Sequence, residues 1–159
     1  MVPYDFARQL KIGKAGERKL NGLWKNVRIV DVSDDPGWRG TGIDRVLELV
    51  DGRKVPVEYK TDCIAHRTGN LVFEIISDDV TGTPGWGLAS KAEYLVYLLE
   101  GTEEVYVIRL PALRRWVLKR VSSFRTVEAD NGVYRTVSLL VPLLELEGLP
   151  FVKKLKLSK

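Results

Sequence analysis

One cysteine, Cys63, one histidine, His66, and one methionine occur in 159 residues, and these scarcities close off several chemistries. A single cysteine forms no internal disulfide, and Cys63 with His66 alone suggests neither a structural zinc site nor a Cys/His nucleophile pair. No apolar run approaches the roughly 20 residues that span a bilayer, and the opening MVPYDFARQLKIGK lacks the hydrophobic stretch of a secretory signal. A cytoplasmic protein with no membrane association is therefore expected. Repeats, low-complexity tracts and long linkers are also missing, so residues 1–159 are expected to form one domain.

Charge, by contrast, is plentiful and unevenly spread. The net charge is +4 at pH 7, with 29% charged and 45% hydrophobic residues, the composition of a folded chain. From Met1 to Arg28 seven basic residues stand against Asp5 and Glu17; RRWVLKR adds four more, and the tail FVKKLKLSK another four. Such clusters suit a polyanion such as DNA, whose phosphates attract Lys and Arg without regard to base sequence, and they equally suit a solvated basic face.

Hydrophobic spacing predicts a helix from the start to about Trp24, with Phe6, Leu10, Leu20 and Trp24 turned inward and Gly13, Gly16 and Gly22 weakening it. NVRIVDVS reads as a strand ended by the turn-forming DDPGWRG. TGIDRVLELV and RKVPVEYKTD flank Asp51-Gly52 as the arms of a hairpin, and NLVFEIIS is a further strand. LASKAEYLVYLLEG places Leu88, Ala92, Leu95, Val96 and Leu99 on one helical face and stops at Gly101. EEVYVIRL is a strand, PALRRWVLKR a short helix opened by proline, and GVYRTVSLLVP the last strand. The order implies a mixed α/β domain.

Within VPVEYKTD, alternation sends Val55, Val57 and Tyr59 to one face and Glu58 and Lys60 to the other. What faces Glu58 depends on the hairpin register. A two-residue loop of Asp51 and Gly52 pairs Arg45 with Glu58 and makes a surface ion pair. A three-residue loop of Val50, Asp51 and Gly52, with Gly52 left-handed, instead sets Asp44 opposite Glu58 and Glu48 opposite Lys54. Two carboxylates at one spot repel unless a cation joins them. Mg²⁺ suits such a pair because it binds through one or two carboxylates and keeps its waters, and the Tyr59 backbone carbonyl offers a further oxygen. Lys60 is then placed to orient an attacking water or to stabilise developing negative charge.

Asp44 followed by Glu58-Tyr59-Lys60, on consecutive strands after a helix bearing Glu17, resembles the PD-(D/E)XK nuclease superfamily, with Ile43-Asp44 in place of the usual Pro-Asp. GKAGERKL and TGIDRVLEL, then RTGNLVFEI, GTPGWGLASKAEYLVYLL and EEVYVIRLPALRRWV, are most similar to archaeal-type Holliday junction resolvases and small phage-type nucleases of that superfamily, over roughly residues 10–118. The resemblance implies a restriction-endonuclease-like mixed sheet flanked by helices. It also implies Mg²⁺- or Mn²⁺-dependent hydrolysis of branched or duplex DNA. Asp44 and Glu58 would be metal ligands, Lys60 the catalytic lysine, and Glu17 a fourth member of the site or, alternatively, a surface glutamate paired with a neighbouring base. A junction resolvase would be a homodimer. The competing reading is a non-catalytic nucleic-acid-binding protein that keeps the nuclease fold.

Further candidates for nucleic-acid contact are Lys14 and Arg18 on the first helix, Arg67 and Asn70 in a polar turn, and Lys91 near the start of the second helix. Glu74, alternating with Val72 and Ile76, either looks toward the same site or leaves for solvent. Trp86 is either a stacking platform for a base or a lid on the core.

Overall fold

The computed structural model describes residues 6–157, and the side chain of Phe6 lies outside the described part. Helix α1 (Phe6–Asn21) is followed by strands β1 (Arg28–Asp31), β2 (Arg45–Glu48) and β3 (Lys54–Asp62). A single turn of helix, α2 (Ala65–Thr68), leads into β4 (Asn70–Asp78), β5 (Thr83–Pro84) and the short α3 (Trp86–Ala89). Next come β6 (Tyr94–Leu99), β7 (Glu104–Arg109), α4 (Leu110–Leu118), β8 (Arg125–Asp130), β9 (Arg135–Pro142), α5 (Leu143–Leu146) and β10 (Val152–Lys156). The result is one α/β domain with two sheets: a six-stranded mixed sheet in the order β1-β2-β3-β6-β7-β10, and a four-stranded antiparallel sheet in the order β5-β4-β9-β8. Only β3 and β6 run parallel in the larger sheet. No helix among the described residues is long and apolar enough to cross a membrane.

The larger sheet is buried on both sides. One face, with Leu47, Val57, Tyr59, Val96, Leu98 and Val105, packs under Leu20 of α1. The other, with Val46, Leu95, Tyr97, Leu99 and Ile108, packs against the smaller sheet and α4. This sandwiching explains the main departure from the sequence reading, which placed a helix from Leu88 to Gly101. Trp86–Ala89 form one helical turn, and YLVYLL is a central strand. A strand covered on both faces has no polar side, so its apolar run fits a helical period as well as an extended one.

The other corrections lie at edges. Trp24 follows α1 rather than belonging to it, although it still packs against the core, and Leu10 is exposed. Strands β8 and β10 add to the expected set, so GVYRTVSLLVP is not the last strand. Both lie at sheet edges, where RTVEAD and VKKLK face water with charged residues that discourage pairing with other chains, and neither reads as an apolar alternation.

Gly16 weakens the helix in sequence terms, but its place is set by packing. A Cβ there would overlap Thr61 Oγ1 and stand 2.9 Å from Thr61 Cβ, so α1 approaches β3 through a residue without a side chain. Gly16→Ala is expected to destabilise the protein by about 1–3 kcal/mol despite alanine's better helix propensity. Urea unfolding measures this, and Thr61→Ala in the same chain should restore part of the loss.

Candidate active site

The hairpin adopts the register with a three-residue loop. Arg45 pairs with Val57, Leu47 with Val55 and Glu48 with Lys54, while Gly52 sits at φ 89. Leu49 N–H donates to Arg53 O (2.8 Å) and Gly52 N–H to Leu49 O (2.9 Å), closing the turn. Cα pairing stops at Arg45 and Val57, one residue short of the Asp44–Glu58 pair that this register would make next. Asp44 N–H donates to Val57 O (2.9 Å), and Asp44 Oδ2 accepts from Tyr59 N–H (2.8 Å). In a strand the N–H and C=O of one residue point to the same edge. The Tyr59 carbonyl therefore faces the edge that Asp44 occupies, where β2 has already begun to diverge.

Glu58 is 3% exposed. Its Oε1 meets Lys60 Nζ at 3.2 Å, whereas Oε2 is buried with no hydrogen-bond partner among the described residues. A loop wall stands close to that oxygen: a Cβ at Gly42 (φ 76) would lie 3.2 Å from Oε2 and 2.7 Å from Ser90 Oγ. Arg114 braces the neighbouring segment by donating to Gly87 O (2.7 Å) and Ser90 O (2.8 Å), and the negative charge of Glu58 acts on its guanidinium. Arg114 thus has a structural task. Burial pushes the Asp44 carboxyl from 3.8 up to about 6; the Tyr59 N–H opposes this, and the Glu58 charge adds to it.

Asp44, Glu58 and Lys60 thus form one electrostatic cluster. The set suits a hard divalent cation on chemical grounds, because an unpartnered buried carboxylate oxygen and a carboxyl destabilised by its neighbour are both relieved by positive charge. Among the described residues no group of three or more His, Cys, Asp or Glu is arranged as a metal cage. A cation here would rest on two carboxylates, a backbone oxygen and water, a ligand set ordinary for Mg²⁺.

A raised aspartate pKa has a defined consequence for stability. The folded value exceeds the unfolded one, so the contribution of Asp44 is fully present below about pH 3.8 and is lost as pH rises through about 6. Asn keeps an acceptor for the Tyr59 N–H without the charge. Asp44→Asn is therefore expected to be more stable than the parent at pH 8 in EDTA, by about 1–3 kcal/mol, with the difference gone near pH 3.5. Denaturant titrations at the two pH values test this.

Glu17 is tied to Arg45. Its Oε2 binds Arg45 Nη2 at 3.0 Å, the neighbouring-base pairing that was the alternative to a site role, although its charge still raises the Asp44 pKa. Arg45 is 4% exposed; it also binds Asp31 (3.0 Å) and the Asp44 carbonyl (2.9 Å) and lies 5.3 Å from the Tyr59 ring centre. This buried arginine escaped the sequence reading, yet a signal existed. The register with the three-residue loop puts Arg45 opposite Val57, on the apolar face with Leu47.

Glu74 comes to the site from the smaller sheet, in register with Ser138. It does not alternate simply with Ile76, because the register shifts between Glu74 and Ile76 and leaves Ile75 as an extra residue. Burial raises its pKa, with the Lys60 charge opposing. Gly85 and Gly87 lie against this strand so closely that a Cβ on either would come 2.5–2.7 Å from Glu74 O, and the loop they form seats Trp86. Trp86 packs on Phe73 (5.5 Å between ring centres) and takes Lys60 Nζ 5.7 Å from its own ring centre. It thus meets both the core and the site.

No family model, curated protein or solved structure matches this chain.

The remaining candidates lie at the surface or at a strand start. Lys14, Arg18, Arg67 and Lys91 are exposed and Asn70 opens β4; none of the five lines the cleft of about 930 Å³ that contains Lys60, and neither does Asp44 or Glu58. No helix begins near Lys91, which corrects its expected place at the start of the second helix. Cys63 donates to Glu100 (3.1 Å), and burial, with that bond, pushes its thiol up to about 11, away from the thiolate form.

Proposed function

We propose that this chain is a Mg²⁺-dependent DNA endonuclease of the PD-(D/E)XK kind, hydrolysing phosphodiester bonds at the cluster of Asp44, Glu58 and Lys60. The observation that supports this reading is Asp44 Oδ2 accepting from the Tyr59 N–H (2.8 Å), next in the chain to Glu58, together with the 3.2 Å contact between Glu58 and Lys60. A mixed sheet with α1 packed over the hairpin strands is compatible with a restriction-endonuclease-like fold.

Asp44, Glu58 and the Tyr59 carbonyl would hold the cation, which when bound neutralises charge building on the phosphoryl oxygens and lowers the pKa of a coordinated water. The protein's own part is positional. The Tyr59 N–H fixes the orientation of Asp44, and the wall formed by Gly42, Ser90 and the Arg114-braced loop shields Glu58 from bulk water. Lys60, held between Glu58 and the Trp86 ring, presents a positive charge beside the phosphate and the attacking water.

Incubation with a four-way junction, linear duplex, single strand and RNA, each with Mg²⁺ or with EDTA, tests the proposal. Metal-dependent cutting of at least one DNA supports it, and the strand polarity of the ends reports the bond broken. Binding without cutting would favour the non-catalytic alternative. Full metal-dependent cutting by Asp44→Ala would overturn the site.

A further inference from the structure

Lys60 lies at one part of a cleft that runs on beneath the smaller sheet, and the rest of that cleft has the wrong charge for a phosphate backbone. Lys60 is the single cation among its described lining residues, whereas Asp62, Glu74 and Asp78 also line it. Phosphates seek Lys and Arg, so a DNA backbone would not be drawn along this surface. The wall is instead suited to bases. Strand β9 and the β8–β9 turn contribute Asn131, Tyr134, Thr136 and Ser138, which are polar without charge, and Trp86 lines the cleft as well. Asn131 Nδ2 donates to Thr136 Oγ1 at 2.9 Å, so an amide and a hydroxyl are held together at the wall, chemistry able to meet a base edge. Aromatic faces take bases of any identity, because every base presents a π surface.

A second observation concerns the outer border of the cleft. The β4–β5 and β8–β9 turns are tied together, Arg135 N–H donating to Asp79 Oδ1 (2.7 Å) and Asp79 N–H to Arg135 O (3.1 Å). Each turn carries an exposed apolar side chain, Val80 at 73% and Val133 at 85%. Apolar side chains displayed on an outer turn suit contact with unstacked bases at a point where a duplex opens.

We infer that the cleft between β3 and the smaller sheet receives unpaired nucleotides flanking the scissile phosphate, so that the preferred substrate is DNA with a single-stranded arm and not an intact duplex. This rests on the nuclease reading. An unpaired flank has no base pair to break before its bases enter, whereas a duplex must first lose pairing and stacking.

The test compares kcat/KM, with Mg²⁺, on a splayed-arm DNA and on a fully paired duplex of the same sequence, for the parent, Tyr134→Ala and Thr136→Val. The parent should cut the splayed arm at least about tenfold faster, and Tyr134→Ala should lower that rate about tenfold, the loss of one base stack, bringing it toward the duplex rate. Equilibrium binding of the Glu58→Gln variant to a splayed arm with 2-aminopurine in the unpaired flank gives a second reading, since stacking in the cleft should quench its fluorescence. Equal rates on the two DNAs, with no change in Tyr134→Ala and no quenching, would overturn this inference while leaving the nuclease reading intact. Absence of metal-dependent cutting on every DNA would instead remove the nuclease reading on which it rests.

Discussion

Glu58→Gln is expected to lower metal-dependent DNA cleavage by roughly 10³-fold or more, about 4 kcal/mol of barrier, because a metal at such a site supplies several kcal/mol of charge stabilisation. Gln matches Glu in size, so the loss would be chemical and not a packing defect. Lys60→Ala should cost roughly 10²–10³-fold, the scale for removing one preorganised positive group. The two variants differ in how they respond to metal. A ligand that binds only the folded state raises the melting temperature, so Mg²⁺ should stabilise the parent and Lys60→Ala, but not Glu58→Gln or Asp44→Asn. Cleavage assays paired with thermal melts at rising Mg²⁺ therefore separate loss of the metal from loss of the lysine. Undiminished cutting by Glu58→Gln would reject the assignment.

Arg45→Ala is expected to destabilise the fold by about 2–4 kcal/mol, the largest single effect foreseen on stability. The guanidinium sits between Glu17, Asp31 and the Asp44 carbonyl and against the Tyr59 ring, so its loss opens a cavity and leaves the Glu17 carboxylate half-buried without its partner. The figure lies below the usual range for a broken buried pair because Asp31 keeps substantial contact with water. Arg45→Met fills the space, and adding Glu17→Gln removes the orphaned charge, so that double variant should regain much of the stability. Urea unfolding of the single and double variants measures the recovery, and a loss below about 0.5 kcal/mol for Arg45→Ala would show the network to be incidental.

The same network explains what became of Glu17. In the sequence it is a helical carboxylate near a possible metal pair, with no means of weighing that role against a salt bridge. Folding brings α1 down onto the face of β2 that carries Arg45, and a short charge-assisted bond forms there. Glu74 shows the opposite movement. Its alternation with Ile76 is broken by the extra residue Ile75, and that irregularity belongs to the β4–β9 pairing, which local letters do not display.

What the sequence determined is local and periodic. The left-handed demand at Gly52 and the period-two pattern of VPVEYK chose the turn and the facing of Glu58 and Lys60, since both depend on neighbouring residues alone. The third dimension decided the rest: that YLVYLL is extended, that Arg45 is buried, that Gly16 admits Thr61, and that the smaller sheet walls a cleft beside Lys60. Each of these depends on contact between segments distant along the chain, where packing and desolvation outweigh intrinsic preference.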